Sequence, residues 1–500
     1  MNPESEQRAV RIQKLEALRS EGYDPFAIER YDRTHFAGSI VENAPRHMDQ
    51  QVRIAGRITA TRAMGKAMFL DVTDETGKIQ VYVRRDDLGE QAYARVKSFD
   101  IGDIVGVGGH VFQTRTGETS IHAGEIALLA KCLRPIPMGK DVDGVKHAAL
   151  TDVEVRHRHR YLDFIVNPES RDLLVKRSRL ITAVRRFLDD SGFVEVETPV
   201  LQAVAGGAAA RPFVTHHNAL DADFKLRISL ELPLKRLIVG GFPRVYEIGR
   251  VFRNEGVSPR HNPEFTLMEL YQAYADLDDM MDLVERMYEA ACIAVHGSPV
   301  FRARMADGHE AEIDLSARPW RRLSILDGIH EYGGVEPDDL ADLSSAHRVC
   351  ERFGIDPARE PSLGGIIEKL HEQCVQPHLV QPTFITDFPV ETSPLAKRKP
   401  GCPHLTRRFE VYMATQELGN AFSEMNDPIE QRARFEDQVR QHALGNEEAH
   451  PMDEDFLMAL EYGMPPTGGL GVGMDRLAMV LTGITSIKEV IAFPLVRPDH

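Results

Sequence analysis

The chain has 500 residues, more than one hydrophobic core usually organises, so two or three domains are expected. A formal charge of −16 argues against indiscriminate binding to polyanions, which rests on neutralising phosphates, and no apolar run reaches the length needed to span a bilayer. Cys132, Cys292, Cys350, Cys374 and Cys402 lie far apart without Cys-x-x-Cys spacing, which indicates neither a zinc site nor a disulfide framework and fits a reducing cytoplasm.

In chain order, Glu4 to Ser20 patterns as one exposed, charged helix ending near Gly22, without the apolar core of a signal peptide, and Tyr23 to Arg46 reads as irregular. From Gln51 the texture changes to short alternating runs separated by turn signals: VRIAGRITATRA, AMFLDVTD, GKIQVYVRR and IVGVGGHVFQTRTGETSIHAGEIALLA. About five short strands predict a small Greek-key barrel of the oligonucleotide-binding type, presenting one face to single-stranded nucleic acid or serving as a purely structural barrel. Between Gln51 and Arg134 there are 12 Lys/Arg against 10 Asp/Glu, compared with 60 against 76 in the whole chain, so this part is the less repelled by a polyanion.

Residues 135–165, with Pro135, Pro137, Gly139, Gly144 and the run RHRHRYLD, have the composition of a linker. His157 and His159, two apart in this basic run, read as part of a basic or merely solvated connector rather than as a metal site. Leu180, Val184, Phe187 and Leu188 then repeat as the stripe of an amphipathic helix, which Gly192 stops before the strand-like FVEVETP.

Phe242 to Tyr271 reads as two strands around a charged loop. Period-two alternation puts Val251, Arg253 and Glu255 on one face of the first, and Phe265, Leu267, Glu269 and Tyr271 on one face of the second; the loop adds Arg260, His261 and Asn262. So polar a face is either solvated or built to bind. Arginine grips phosphate or carboxylate as a planar fork and a ring stacks on a base, so the combination reads as a nucleotide and carboxylate site. Met280 to Pro382 holds helical patterns such as MMDLVERMYEAACIAV and GGIIEKLHEQCV, to which no chemistry is assigned. Near the C-terminus GGLGVGMD precedes a helix with Leu477, Val480 and Leu481 facing inward. Only 27 residues follow Gly473, too few to complete a dinucleotide-binding unit, and no P-loop occurs. A helix N-terminus disfavours a cation, so Arg476 makes most sense beside a polyphosphate, with relief from Asp475 as the alternative.

The runs FRNEG, RHNPEFT and GGLGVGMDRL resemble motifs 2 and 3 of class II aminoacyl-tRNA synthetases, and LITAVRRFLDDSGFVEVETPVL is similar to motif 1. The class I signatures HIGH and KMSKS are missing. GGAAARPFVTHHNAL, LELPLKRL, TDFPVETSPLAKR and ELGNAFSEMND narrow the resemblance to the lysyl-tRNA synthetases, from about Val52 to Pro498. It implies an α+β chain: an N-terminal helical extension over 1–50, an OB-fold anticodon-binding β-barrel over 51–134, a linker over 135–165 and a class II catalytic domain over 166–500, an antiparallel sheet flanked by helices. It also implies a cytoplasmic homodimer with motif 1 at its interface, no membrane association, Mg²⁺ as cofactor, and ATP, L-lysine and tRNA(Lys) as partners. In the implied reaction the lysine carboxylate attacks the α-phosphorus of ATP, and a ribose hydroxyl at the tRNA 3′ end then attacks the activated carbonyl. Charge neutralisation and in-line positioning are what both steps need.

The resemblance also distributes roles. Arg253 is expected to bridge the α-phosphate and the amino-acid carboxylate, and Arg476 to be the second catalytic cation. Glu255, Arg260, His261, Asn262 and Phe265 are expected around ATP, with Phe265 against adenine. Glu410 and Glu417 match the metal-binding carboxylates, hard oxygen donors that suit Mg²⁺. Gly207, Glu231, Glu269, Tyr271, Asn420, Phe422 and Glu424 match the lysine pocket, where a buried ammonium has to be paired; an aspartate site would want Lys, Arg or His instead. Arg62, Phe69, Gln80 and Glu118 fall at positions that hold anticodon bases: Phe69 can stack a splayed base or pack in the core, and Gln80 and Glu118 can read base edges. Pro233 departs from the family, where an aromatic residue is common, and removes a backbone donor near the pocket. The rivals are the same fold activating aspartate or asparagine, and an RNA-binding paralogue that charges no tRNA.

Overall fold

The computed structural model describes residues 3–142, 145–147, 150–305, 307–357, 360, 362–443 and 449–498; Gly144 of the expected linker lies outside them. The chain divides into two compact units, Met1–Asn167 and Pro168–His500.

In the first unit, helix α1 (Pro3–Ser20) is followed by Gly22 at positive φ. The sequence suggests an exposed helix, but Leu15 and Leu18 are buried, and Leu18 joins the apolar core of the barrel beside it. The stretch expected to be irregular carries the short helices Ala37–Glu42 and Ala44–His47. Ala37 donates its backbone N–H to Asp74 of the barrel, and the Tyr23 hydroxyl donates to the Leu128 carbonyl.

Strands β1 (Gln51–Met64), β2 (Ala67–Thr73), β3 (Lys78–Arg84), β4 (Ile104–Gln113) and β5 (Thr119–Ala130) close into a barrel in the order β1-β2-β3-β5-β4. Only β3 and β5 run parallel. A register shift between Ile58 and Ala60 bends β1, so that its first half pairs with β4 and its second with β2, which is how a bulge lets one strand close a barrel. Ile54, Ile58, Leu70, Val72, Val81, Val105 and Val107 alternate inward and fill it. The segment 135–165 carries the short helix Val153–Arg158 and most of a second, Arg160–Val166.

The second unit is organised on an eight-stranded sheet of β6 (Val194–Glu195), β7 (Arg244–Phe252), β8 (Glu264–Ala273), β9 (Arg321–Ser324), β10 (Thr383–Thr386), β11 (Arg408–Met413), β12 (Gln416–Ser423) and β13 (Thr467–Gly473). Its order is β9-β10-β11-β12-β13-β8-β7-β6, antiparallel except for the outermost pair at each edge. Successive side chains alternate between two unlike faces. Met268, Leu270, Phe409, Val411, Leu470 and Val472 point to a core built with the helices Pro168–Asp190, Leu277–His296 and Met474–Thr482. Leu180, Val184 and Leu188 form the buried stripe of the first of these, and Phe187 packs against the same core half-buried.

The hairpin of β7 and β8 differs from its sequence reading at one end. β7 stops at Phe252, Val251 is fully buried in an apolar cluster, and Arg253 and Glu255 lie in the loop beyond it. Regular strand pairing therefore ends at Phe252, although the Arg253 N–H still donates across the hairpin to the Pro263 carbonyl at 2.8 Å. On β8, Phe265, Leu267, Glu269 and Tyr271 do share a face. Asp475, one residue into the helix that follows β13, fastens these parts: it accepts from the Thr266 N–H at 2.7 Å and from Arg177 at 2.6 Å. It is not the partner of Arg476.

Asp475→Ala removes a buried carboxylate that satisfies a backbone donor and a guanidinium, so it should destabilise the second unit by about 3–5 kcal/mol. Thermal unfolding read against Asp475→Asn checks this, with the asparagine variant losing less.

Candidate active site

The face of the sheet opposite its helical core lines a cavity of about 400 Å³. Alternation explains most of the lining: Leu267, Glu269 and Tyr271 from β8, Asn420 and Phe422 from β12, and Gly469, Gly471 and Gly473 from β13 project into it, while a register shift where β11 pairs with β12, between Val411 and Tyr412, brings Glu417 to the same cavity. The loop after β7 adds Arg253, Glu255, Arg260, His261 and Asn262; β11 adds Arg408 and Glu410; Gly207, Glu231 and Glu424 come from flanking segments. All the residues expected around amino acid, nucleotide and metal thus line one cavity.

One end is acidic and enclosed. Glu231, Glu269 and Glu424 are all buried there. Glu269 accepts from the Leu230 N–H at 2.9 Å, the Ser229 hydroxyl at 3.1 Å and the Tyr271 hydroxyl at 3.0 Å. Even so, burial and the nearby Glu231 push its pKa up to about 7. Burial likewise raises Glu231 and Glu424 against the pull of Lys235, whose fully buried ammonium ion-pairs with both. Lys235 was not singled out in the sequence. The signal was its place four residues after Glu231, the spacing that stacks a carboxylate and an ammonium on one helix face.

Local backbone makes this end possible. Helix Glu231–Val239 starts with Glu231 under the pocket, and Pro233 stands in its first turn, where a backbone N–H has no intrahelical acceptor. The backbone donor facing the acids is the Leu230 N–H, while the Glu231 N–H donates to the Ser229 hydroxyl, so Pro233 withdraws none. Gly207 has φ +87°, and a Cβ there would lie 2.6 Å from the Ser229 hydroxyl oxygen. At Gly469 a Cβ would collide with Glu424 Oε1, so the missing side chain is the space that lets this oxygen face the cavity.

The other end is cationic. Among the described residues Arg253 forms no ion pair; its Nε donates to the Ile228 carbonyl at 3.2 Å, and its guanidinium lies 5.1 Å from the Phe265 ring centre. Burial lowers its pKa, an effect opposed by Glu255, Glu269 and Glu417. Arg476 donates to Glu417 Oε2 at 2.8 Å and meets His261 Nε2 at 3.3 Å. Burial and Arg476 lower the His261 pKa, so the ring is neutral near pH 7; with Nε2 accepting, Nδ1–H donates to the Ser258 hydroxyl at 2.9 Å. The Asn262 amide nitrogen donates to the Glu264 carbonyl, while its buried Oδ1 has no partner. Such an acceptor calls for a donor from a ligand.

Between the ends, Arg408 acts through others, a second residue the sequence reading missed. It donates to Glu410 at 2.6 Å and to Asn420 Oδ1 at 3.2 Å, while stacking 4.2 Å from the Phe388 ring centre. The Asn420 carbonyl is thereby taken, leaving its NH₂ to serve the cavity. Glu410 also accepts from the Tyr412 hydroxyl at 2.5 Å, yet burial, together with Glu417 and Glu368, raises its pKa to about 7 against the pull of Arg408.

On the barrel, strand register puts Arg62, Phe69 and Gln80 on one face. Phe69 alternates with Met68 and Leu70, which are buried, so its ring lies outside the barrel core, 5.1 Å from that of Tyr82. Arg62 pairs with Asp71 at 3.0 Å. Gln80 donates to Glu118 at 2.9 Å and accepts from Ser120 at 2.9 Å. The adjoining rings of Tyr82, Phe112 and His122 were not singled out in the sequence.

Two family models match this chain: tRNA synthetases class II (D, K and N) over residues 152–497, and the OB-fold nucleic acid binding domain over residues 52–129. Among similar curated proteins is the lysine–tRNA ligase of Moorella thermoacetica, 50% identical over 100% of this chain and 99% of that protein. Those of Pelotomaculum thermopropionicum and Carboxydothermus hydrogenoformans are each 50% identical over 98% of this chain, covering 94% and 97% of their own lengths. A closed five-stranded barrel, a largely antiparallel sheet carrying a cavity acidic at one end and cationic at the other, and these full-length matches together establish that the chain belongs to the class II tRNA synthetases of the D, K and N group.

Proposed function

We propose that this chain is a lysine–tRNA ligase, which activates lysine with ATP and transfers it to the 3′ end of tRNA(Lys). The observation that carries the choice of amino acid is the convergence of Glu231, Glu269 and Glu424 at one buried end of the cavity. Three buried carboxylates sharing one internal ammonium, that of Lys235, retain a demand for positive charge, which a lysine ammonium supplies and an aspartate or asparagine side chain does not. The three relatives described above bear the name of this activity.

In this reading Glu231, Glu269, Tyr271 and Glu424, with Gly207, Asn420 and Phe422, hold lysine. Arg253, which has no carboxylate ion-pair partner among the described residues, takes the amino-acid carboxylate and the α-phosphate together, so that the attacking oxygen and the phosphorus are held in line while charge develops. Arg476 stabilises the departing pyrophosphate, with Arg260 and the neutral His261 beside it. Adenine lies against Phe265 with Asn262 Oδ1 as an acceptor for its amine, and Glu255 completes the nucleotide site.

Glu410 and Glu417 suit Mg²⁺: they are hard oxygen donors, and burial and mutual repulsion leave Glu410 poorly compensated. Among the described residues no group of three His, Cys, Asp or Glu forms a metal site, so ATP phosphates would complete the coordination. The ion would neutralise phosphate charge. On the barrel, Arg62, Phe69, Gln80 and Glu118 receive the anticodon, with Phe69 as the stacking ring; Gln80 and Glu118 exchange their mutual hydrogen bond for base edges. The domain limits follow the sequence reading: extension 1–50, barrel 51–134, linker 135–165 and catalytic domain 166–500.

We also propose a homodimer formed through motif 1, where Val194, Val200 and Leu201 are exposed apolar side chains. No helix among the described residues is long and apolar enough to cross a membrane. A cytoplasmic location suits five cysteines that are all free thiols.

Arg253→Ala should raise the barrier to lysyl-adenylate formation by about 2.7–4 kcal/mol, measured by lysine-dependent pyrophosphate exchange; near-normal exchange contradicts the role. Glu231→Gln should raise KM for lysine far more than KM for ATP, and parallel changes in both would argue against ammonium recognition. A third expectation concerns pH. Glu269 is protonated below about pH 7 in the empty pocket and has to ionise to pair with an ammonium, so lysine binding releases a proton. KM for lysine should therefore fall as pH rises through about 7, with KM for ATP as the internal control.

A further inference from the structure

The least expected group in the acidic end is itself a cation. Lys235 is completely buried, and its ammonium reaches Glu231 on its own helix and Glu424 across the pocket. The rings of Tyr271 and Phe456 lie 5.9 and 6.0 Å from it. Of the other titratable groups around it, Glu269 repels Glu231 and Glu424 without contacting Lys235, and the Tyr271 phenol is engaged with Glu269. His450 is held neutral, its pKa pushed down to about 4 by burial and by Lys235 itself. Arg236, the next residue, points away to Asp453 and Asp455.

A lysine that only neutralised buried acids would saturate them. Here the geometry leaves a deficit. Glu424 Oε2 sits against the ammonium without a well-directed hydrogen bond, and Oε1 is turned towards the cavity through the space left at Gly469. With all three glutamates ionised, one internal ammonium leaves two negative charges, matching the two ammonium groups of free lysine once its carboxylate is taken by Arg253. Without Lys235 the same acids would carry a third charge in a site too dry to hold it, and Glu231 and Glu424 would share a proton instead.

We propose that Lys235 is a specificity-determining positioning residue, a built-in ammonium that spaces Glu231 and Glu424 and sets the charge of the amino-acid pocket to match a substrate bearing two ammonium groups. This rests on the assignment of the acidic end to lysine. Removing the charge brings a proton between the two carboxylates, and the incoming substrate has to displace it.

The test measures kcat/KM for lysine against pH, by pyrophosphate exchange from about pH 6 to about pH 9, in the unaltered protein, Lys235→Met, Glu231→Gln and the double variant. Lys235→Met is expected to move the acidic limb up by about one unit or more and to raise KM for lysine about tenfold near pH 7, with KM for ATP nearly unchanged. The double variant loses one charge of each sign, so its limb should return to within about half a unit of the parent, although KM for lysine stays high. A Lys235→Met limb that superimposes on the parent overturns the proposal. If only the double variant folds, a limb displaced by more than about half a unit overturns it. Failure of the lysine assignment looks different: Glu231→Gln then leaves KM for lysine unchanged. A raised KM in Glu231→Gln beside a parent-like Lys235→Met sinks the Lys235 role alone.

Discussion

The arrangement that governs the catalytic unit is the enclosure of Glu231, Glu269 and Glu424 with a single ammonium, that of Lys235, away from water. A carboxylate in such surroundings loses its hydration and regains only what neighbouring donors supply. Ser229, Leu230 and Tyr271 supply three hydrogen bonds to Glu269, and its pKa still stands at about 7. The pocket is thus unfinished by itself. In the proposed reading an entering cation improves its free energy, and the protein's own electrostatic strain becomes a source of selectivity.

That strain is tolerable because the rest of the sheet is conventional. The same strands that send glutamates, arginines and glycines to one face send Met268, Leu270, Val411, Leu470 and Val472 to the other, where three helices bury them. One-residue alternation keeps a dry apolar core and a charged cavity a sheet's thickness apart. The Asp475 carboxylate bridges the helix after β13 to β8 and to Arg177, so the helix that presents Arg476 is held by a residue adjacent to it. The cavity's polarity along its length, acids at one end and guanidinium groups at the other, mirrors an amino acid joined to a triphosphate.

Residues that act through others give the site its orientation. Arg408 fixes which end of the Asn420 amide faces the cavity, His261 is kept neutral beside Arg476, and Gly207 and Gly469 contribute absences of side chain rather than groups. On the barrel, Phe69 belongs to a run of neighbouring rings, so that face offers a broader aromatic surface than a single residue would.

Much of this was legible in the chain. The alternating runs after Gln51 announce the barrel, the Leu180, Val184 and Leu188 stripe announces a buried helix face, and FRNEG, RHNPEFT and GGLGVGMDRL name the class, because strand period, helix period and short motifs are local properties. Three things were not local. The end of β7 at Phe252, which buries Val251 and releases Arg253 into a loop, depends on how many residues β8 can pair. The packing of the N-terminal helix through Leu15 and Leu18 depends on a barrel that follows it in sequence. The partnership of Lys235 with Glu424 joins residues 189 positions apart, which no sequence period can relate. Residue types and their spacing therefore determined the fold class and the inventory of charges; only the folded chain decided which charges neutralise one another, because pairing energy depends on distance and burial, and both are set by contacts remote in sequence.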